Sequence, residues 1–300
     1  MNLRHSTVVL SLLASPLCAL SAQRVFEPLV LNLPSGPRTL ALGDVGVASR
    51  DDEVLFFNPA QLAVATGFSS SGERYTANSS GAALSAVTRF NGGGVAIGMR
   101  MNSFDASGNL TTGSGASLGQ SLFSSTSLEA SVGVAQVIKG IRVGAALKYA
   151  EQDLGTTRLE RGLVDVGLAK QVFGSYTVGA SVQNLGTDEV LEGPVRVELP
   201  RMATLGVSRG GPVGEFDLFG TAAVSWNRDN SLYPAGGLEV SYSWLSGYNI
   251  AMRAGGRRPL PGEEAFTAGA GFTMDRLSID YALETLSGGR IGNRLGLRIR

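Results

Sequence analysis

Chemistry at neutral pH is carried most readily by histidine and cysteine, and this chain has one of each, His5 and Cys18. Both lie in an opening stretch that reads as a leader. Arg4 and His5 make a basic start, Thr7 to Leu20 is almost wholly apolar, and small residues gather at Ala19, Ser21 and Ala22. Cleavage near Ala22 leaves a chain with neither residue. No cysteine or histidine metal site, no paired nucleophile and no disulfide is then available, so no catalytic residue, metal site or cofactor is expected, and the protein is read as non-enzymatic. The 25 basic and 25 acidic residues cancel and form no basic run, which argues against a nucleic-acid partner. The groups left to position are a few in the N-terminal third: Gly43 and Gly46, the acidic pair Asp51-Asp52, the aromatic pair Phe56-Phe57, and Asn58-Pro59-Ala60.

The last three residues carry a local prediction. An Asn side chain ahead of a Pro can accept a backbone N–H as N-cap, and Pro suits the first helical position because its missing N–H needs no partner. A short helical turn is therefore expected from Asn58 through Ala65. Phe56 and Phe57 are candidates for contact with an apolar ligand or for packing.

The rest of the chain alternates with a period of two. Ile141, Val143, Ala145, Leu147 and Tyr149 alternate with Arg142, Gly144, Ala146 and Lys148, and Leu238, Val240, Tyr242 and Trp244 alternate with Glu239, Ser241 and Ser243. Turn signals divide the sequence into fourteen strands starting near residues 66, 80, 92, 124, 140, 158, 175, 200, 214, 233, 248, 265, 277 and 291. A soluble β-sandwich would show the same period, but loop lengths separate the two. Connections after even strands, such as Asn91-Gly92 and Lys139-Gly140, are short, whereas those after odd strands include Asp105 to Phe123, Leu185 to Leu199 and Gly255 to Glu264. Sorting by parity is the habit of outer-membrane barrels. The fold class is an all-β transmembrane antiparallel barrel of about 14 strands with an N-terminal plug containing short helical turns. It divides into a signal peptide (1–22), a plug or hatch (23–65) and the barrel (66–300).

With the apolar face toward lipid, Arg142, Lys148, Asp165, Gln183, Glu215, Asp217, Glu239, Arg253, Asp280, Glu284, Arg294 and Arg298 point into the lumen. Both charge signs are present, which favours a ladder of salt bridges over an ion-selective pore. Tyr149, Tyr176, Trp226, Trp244 and Tyr248 fall near strand ends, where aromatic girdles sit.

The block Ala41 to Ala63, ALGDVGVASRDDEVLFFNPAQLA, resembles the N-terminal block of the PorV/PorQ branch of the FadL-like outer-membrane proteins. The family pattern has an Ala-Leu-Gly segment, an acidic pair and an Asn-Pro-Ala box before a 14-stranded barrel, with Gly where this chain has Gln61. The resemblance implies that the segment sits inside the barrel as a plug, folded with the help of Gly43, Gly46 and the Asn58-Pro59-Ala60 turn. It also implies a secretion-associated, type IX-like, or transport component of the outer membrane. The expected partners are outer-membrane lipid and secretion-system or secreted proteins. The alternative is a FadL-like channel for hydrophobic small molecules. The polar Asp105 to Phe123 stretch lacks the apolar lid of a lipid-capturing mouth, which weighs against fatty acids.

Overall fold

The computed structural model describes residues 24–300 except 27, 77–78, 112–116, 154–157, 191–194, 229, 246, 260–262 and 287; the proposed leader lies outside the described residues. Fourteen antiparallel strands close into a barrel: β1 (Gly67–Thr76), β2 (Ser79–Phe90), β3 (Gly93–Thr111), β4 (Ser117–Ile138), β5 (Ile141–Asp153), β6 (Arg158–Val172), β7 (Tyr176–Leu185), β8 (Met202–Val213), β9 (Phe216–Asn227), β10 (Leu232–Leu245), β11 (Tyr248–Arg257), β12 (Glu263–Met274), β13 (Leu277–Leu286) and β14 (Arg290–Ile299). The seam is the β14–β1 pairing, from Asn293 opposite Arg74 to Ile299 opposite Phe68. Thirteen of the fourteen strands start within two residues of the positions read from the sequence. The exception is β4. The stretch Asp105 to Phe123, expected as a loop, extends β3 and β4 in one hairpin, with Asp105 opposite Ser124 and Leu110 opposite Gly119. Its Ser and Thr residues mask the alternation that would have revealed it.

The short turns share one end of the barrel, and the longer connections share the other. At the long-loop end three short strands, Arg24–Phe26, Glu189–Val190 and Val195–Val197, form a small separate sheet in which Arg24–Phe26 runs parallel to Val195–Val197. The strands are apolar outward: Ile97, Leu147, Leu238, Met252 and Phe266 are each more than 60% exposed. That surface is the kind a transmembrane barrel presents to lipid. Trp244, Tyr248 and Phe272 cluster on it at the short-turn end, with ring centroids 5.9 to 6.4 Å apart.

The lumen is filled by residues 28–65. This hatch holds a one-turn helix α1 (Pro37–Ala41) and 3-10 turns at Leu29–Asn32, Asp52–Phe56 and Pro59–Ala63. Irregular backbone buried this way needs partners, and wall side chains supply them. Arg100 donates to Leu33 O (2.8 Å), Arg294 to Pro34 O (2.5 Å), Ser208 to Ala48 O (2.8 Å) and Gln183 to Phe56 O (2.7 Å).

Close approach is made possible by inward-facing glycines on many strands. A Cβ on Gly167 would lie 1.9 Å from Asn58 Oδ1, and one on Gly94 would lie 2.0 Å from Leu62 O. Others on Gly255 and Gly144 would meet Gly43 N at 2.2 Å and Pro59 C at 2.4 Å. Glycine inside a strand weakens it unless another backbone must come near, and here the hatch does. Gly167→Ala is expected to displace the Asn58 turn and expose the hatch to limited proteolysis, whereas Gly162→Ala on the same strand, where an added Cβ meets nothing within 4 Å, should leave the digestion pattern unchanged.

Candidate functional site

The hatch divides the lumen into two cavities that share no lining residue. The one facing the long loops has a volume of about 490 Å³. The half-buried Phe57 of the hatch lines it, with the buried Val45 and Val47 behind, and its polar lining includes Gln183, Asp44, Glu198 and the arginines Arg100, Arg201, Arg228, Arg257 and Arg258. The one facing the short turns, about 610 Å³, is lined mainly by polar and charged groups.

Each candidate residue has a definite place. Gly43 and Asp44 both have positive φ, 79° and 62°, and close α1 through Asp44 N–H to Thr39 O (2.8 Å). Gly43 is additionally pressed against the wall, since a Cβ there would lie 2.7 Å from Gly256 O. Gly46 leaves room for the Phe57 ring, which an added Cβ would meet at 2.4 Å. Phe57 is half-buried and faces the upper cavity. Phe56 also lines it but is buried, with the Arg100 guanidinium 4.7 Å from its ring centre.

Asn58 accepts the Ala60 N–H at 3.0 Å, and Pro59 to Ala63 follow as a 3-10 turn. The same side chain donates to Val47 O (2.8 Å) and to Leu168 O on β6 (3.1 Å). It therefore ties two parts of the hatch to each other and to the wall. Pro59 and Ala60 are buried in that turn. Gln61 is fully buried beside them, its Nε2 3.5 Å from Val47 O and its Oε1 without a partner.

The two acidic residues part company. Asp51 joins hatch to wall: it accepts from Arg38, from Ser49 (2.5 Å), and from Arg300 (2.8 Å) and Arg298 (3.4 Å) at the C-terminal strand. Burial raises its pKa, but the surrounding guanidiniums, Arg38 first, outweigh that and hold the carboxyl well below the usual range. Asp52 is fully buried, and neither carboxyl oxygen has a hydrogen-bond partner among the described residues. Burial pushes its carboxyl up. The neighbouring Glu53, not singled out by the sequence, accepts from Thr39 Oγ1 at 3.1 Å and is pushed up to about 8 by burial and by Asp52.

Around these residues the wall carries two ladders of charge. In one, Arg100 pairs with Glu129, and Lys148 joins Glu129 (3.6 Å) to Asp165 (2.7 Å). In the other, Glu239, Arg253, Asp280 and Arg298 follow in sequence at 2.5 to 2.6 Å, and Arg38 of the hatch joins Glu239 at 2.9 Å. Two residues expected in the lumen lie outside it. Glu215 lies in the turn between β8 and β9 and Asp217 one residue into β9, both exposed beyond the hatch. Arg100 and Glu129 went unremarked in the sequence, although Met99 and Met101, and Leu128 and Ala130, flank them with the alternation that marks an inward position. Among the described residues no three His, Cys, Asp or Glu side chains gather as a metal site.

No family model matches this sequence, and no curated protein matches it. Solved structures do share the fold. One is the deltaS2S3 mutant of the TodX monoaromatic hydrocarbon channel (TM-score 0.63, 12% identity, covering 88% of this chain and 98% of that one). Another is the Ralstonia pickettii toluene transporter TbuX (0.55, 13%, 90% and 100%). A third is a Pseudomonas aeruginosa FadL homologue (0.57, 9%, 88% and 97%). At these identities the likeness is one of fold. The shared architecture is a closed antiparallel barrel.

Two measurements test this site. Asn58→Ala removes the cap and leaves two buried carbonyls short of a donor, and is expected to cost about 3 kcal/mol, against about 1 kcal/mol for a cap alone. Asn58→Asp keeps the cap and loses both donors, so it should recover only the smaller part in a thermal unfolding series. For Glu53, the folded form holds its proton above the usual pKa. Its contribution to stability is complete below about pH 4.5 and is lost as pH rises through about 8. Asp51 acts oppositely, its contribution present above about pH 4 and lost on acidification below that. The unfolding midpoint should therefore peak at mildly acidic pH, and Glu53→Gln should flatten the alkaline side of the curve.

Proposed function

We propose that the protein is a non-enzymatic outer-membrane barrel that admits a small hydrophobic molecule to the cavity between its long loops and its hatch. The observation that carries this reading is the cavity itself: about 490 Å³, within the size of small-molecule sites, and lined by Phe57 of the hatch with the buried Val45 and Val47 behind. Support comes from barrels of the same fold described as monoaromatic hydrocarbon channels and a toluene transporter. The reading includes a leader at 1–22, a hatch at 23–65, a barrel at 66–300, outer-membrane lipid around the apolar wall, and the long loops facing outward. Because the hatch separates the upper cavity from the lower one, a ligand passes on toward the short-turn end only when the hatch or the wall yields.

A second reading, a secretion-associated barrel engaging secretion-system or secreted proteins, rests on the Ala41–Ala63 resemblance to the PorV/PorQ branch. In this structure Phe56, Asn58, Ala60 and Gln61 of that block are buried in contacts between hatch and wall. Those residues are occupied in holding the hatch, which leaves the first reading better supported.

Uptake of radiolabelled toluene and of a long-chain fatty acid by cells expressing the protein discriminates the ligand classes. Phe57→Arg and Val45→Arg place a charge in the cavity and should reduce toluene uptake about tenfold, the scale expected when apolar burial is replaced by an unpaired charge. Uptake indifferent to both substitutions, in cells where deletion of the protein instead stops export of surface proteins, would replace this reading with the second.

A further inference from the structure

The charge ladders leave one buried cation unmatched. Arg142, the second residue of β5, faces the lumen and is 5% exposed, yet it has no hydrogen bond or ion pair among the described residues, and its Nη2 is buried without a partner. The charge that acts on it comes from another guanidinium, Arg50 of the hatch. The register explains the encounter. Arg142 lies opposite Ala169 on β6, and Gln171 follows two residues on along the same inward face. Arg50 Nη2 donates to Gln171 Oε1 at 3.2 Å and reaches Thr177 Oγ1 on β7 at 3.5 Å. Two like charges thus flank Gln171, where Arg50, Gln171 and Thr177 line the lower cavity.

Two of the three carboxylates that line that cavity are committed elsewhere, and the third, Asp275, lies exposed in the turn before β13. Asp51 is held by Arg38, Arg298 and Arg300, and Glu239 by Arg38 and Arg253. Asp280, just behind them, is taken by Arg253 and Arg298. A guanidinium removed from water without a counter-charge is strongly unfavourable. Arg142 is such a group, and with the exposed Arg50 on a different element, a side-chain amide and a hydroxyl it offers donors of the kind that suit a planar or tetrahedral oxyanion.

We infer that Arg142 and Arg50 form a binding site for a small oxyanion, a phosphate or carboxylate group free in solution, reached from the short-turn end. Arg50 belongs to the hatch and Arg142 to the wall, so the bound anion bridges them as Asp51 does on the opposite side. The site is separate from the upper cavity and does not depend on what that cavity binds. Occupancy couples the hold on the hatch to the anion concentration at the short-turn face.

The test uses the full barrel in a phospholipid-free micelle, with inorganic phosphate as the probe and sodium chloride at matched ionic strength as the reference. Phosphate should raise the unfolding midpoint saturably and broaden the phosphorus resonance. Arg50→Gln should weaken the apparent affinity for phosphate about tenfold. Arg142→Gln should abolish the phosphate response and raise the midpoint in phosphate-free buffer, because it removes an unmatched buried charge. A phosphate response equal to that of chloride, one that survives both substitutions, or one given only by phosphatidylglycerol would overturn the site.

Discussion

A charge carried into a closed barrel has little water to meet it, and each guanidinium must find a carboxylate or a carbonyl nearby. That requirement organises this lumen. The wall cannot meet it alone, since strands fix where inward side chains stand, and the hatch supplies what is missing. Asp51 of the hatch takes up Arg298 and Arg300, Arg38 completes Glu239, and the carbonyls of Leu33 and Pro34 accept from Arg100 and Arg294. Dependence runs in both directions, because the irregular hatch backbone would otherwise carry unpaired carbonyls among apolar residues. Hatch and barrel are one electrostatic structure.

Packing imposes a second condition on the same residues. Charge matching demands that hatch and wall approach, and inward glycines on the strands allow contact at backbone distance. Where the strands carry bulkier inward groups, the hatch turns away and leaves the two cavities. The upper one has the Phe57 ring among its charged and polar lining, and the lower one is lined mainly by charged and polar groups.

The barrel was legible in the sequence because lipid on one side and a polar lumen on the other enforce a strict period of two, and because the turns sort by length. The hairpin extending β3 and β4 was not, since serine, threonine and glycine on both faces erase that period. The Asn58 turn could be read from Asn-Pro alone, but its bonds to Val47 O and Leu168 O could not, being contacts across 11 and 110 residues. Glu53 escaped notice because an acidic residue in an acidic run looks like solvated surface. Only burial against Thr39 and Gly36 distinguishes it. Glu215 and Asp217 erred the other way, having the right parity but lying past the end of the lumen. Arg142 was counted among the inward residues, yet its lack of a partner is a property of three-dimensional arrangement that no pattern in the chain displays.

The path of the hatch bears on how the molecule is assembled. Arg24–Phe26 pairs with Val195–Val197 at one end of the barrel, while Gly67, where β1 begins, stands at the other. The intervening segment therefore runs the height of the lumen before the first strand is laid down. Strands β1 and β14, the partners across the seam, come from opposite ends of the barrel sequence and meet only after a large loop-closure cost. Once they have met, a segment in backbone contact with the inner wall has no lateral way in. The bore is fixed by the fourteen strands, and the segment that leads into β1 is what fills it.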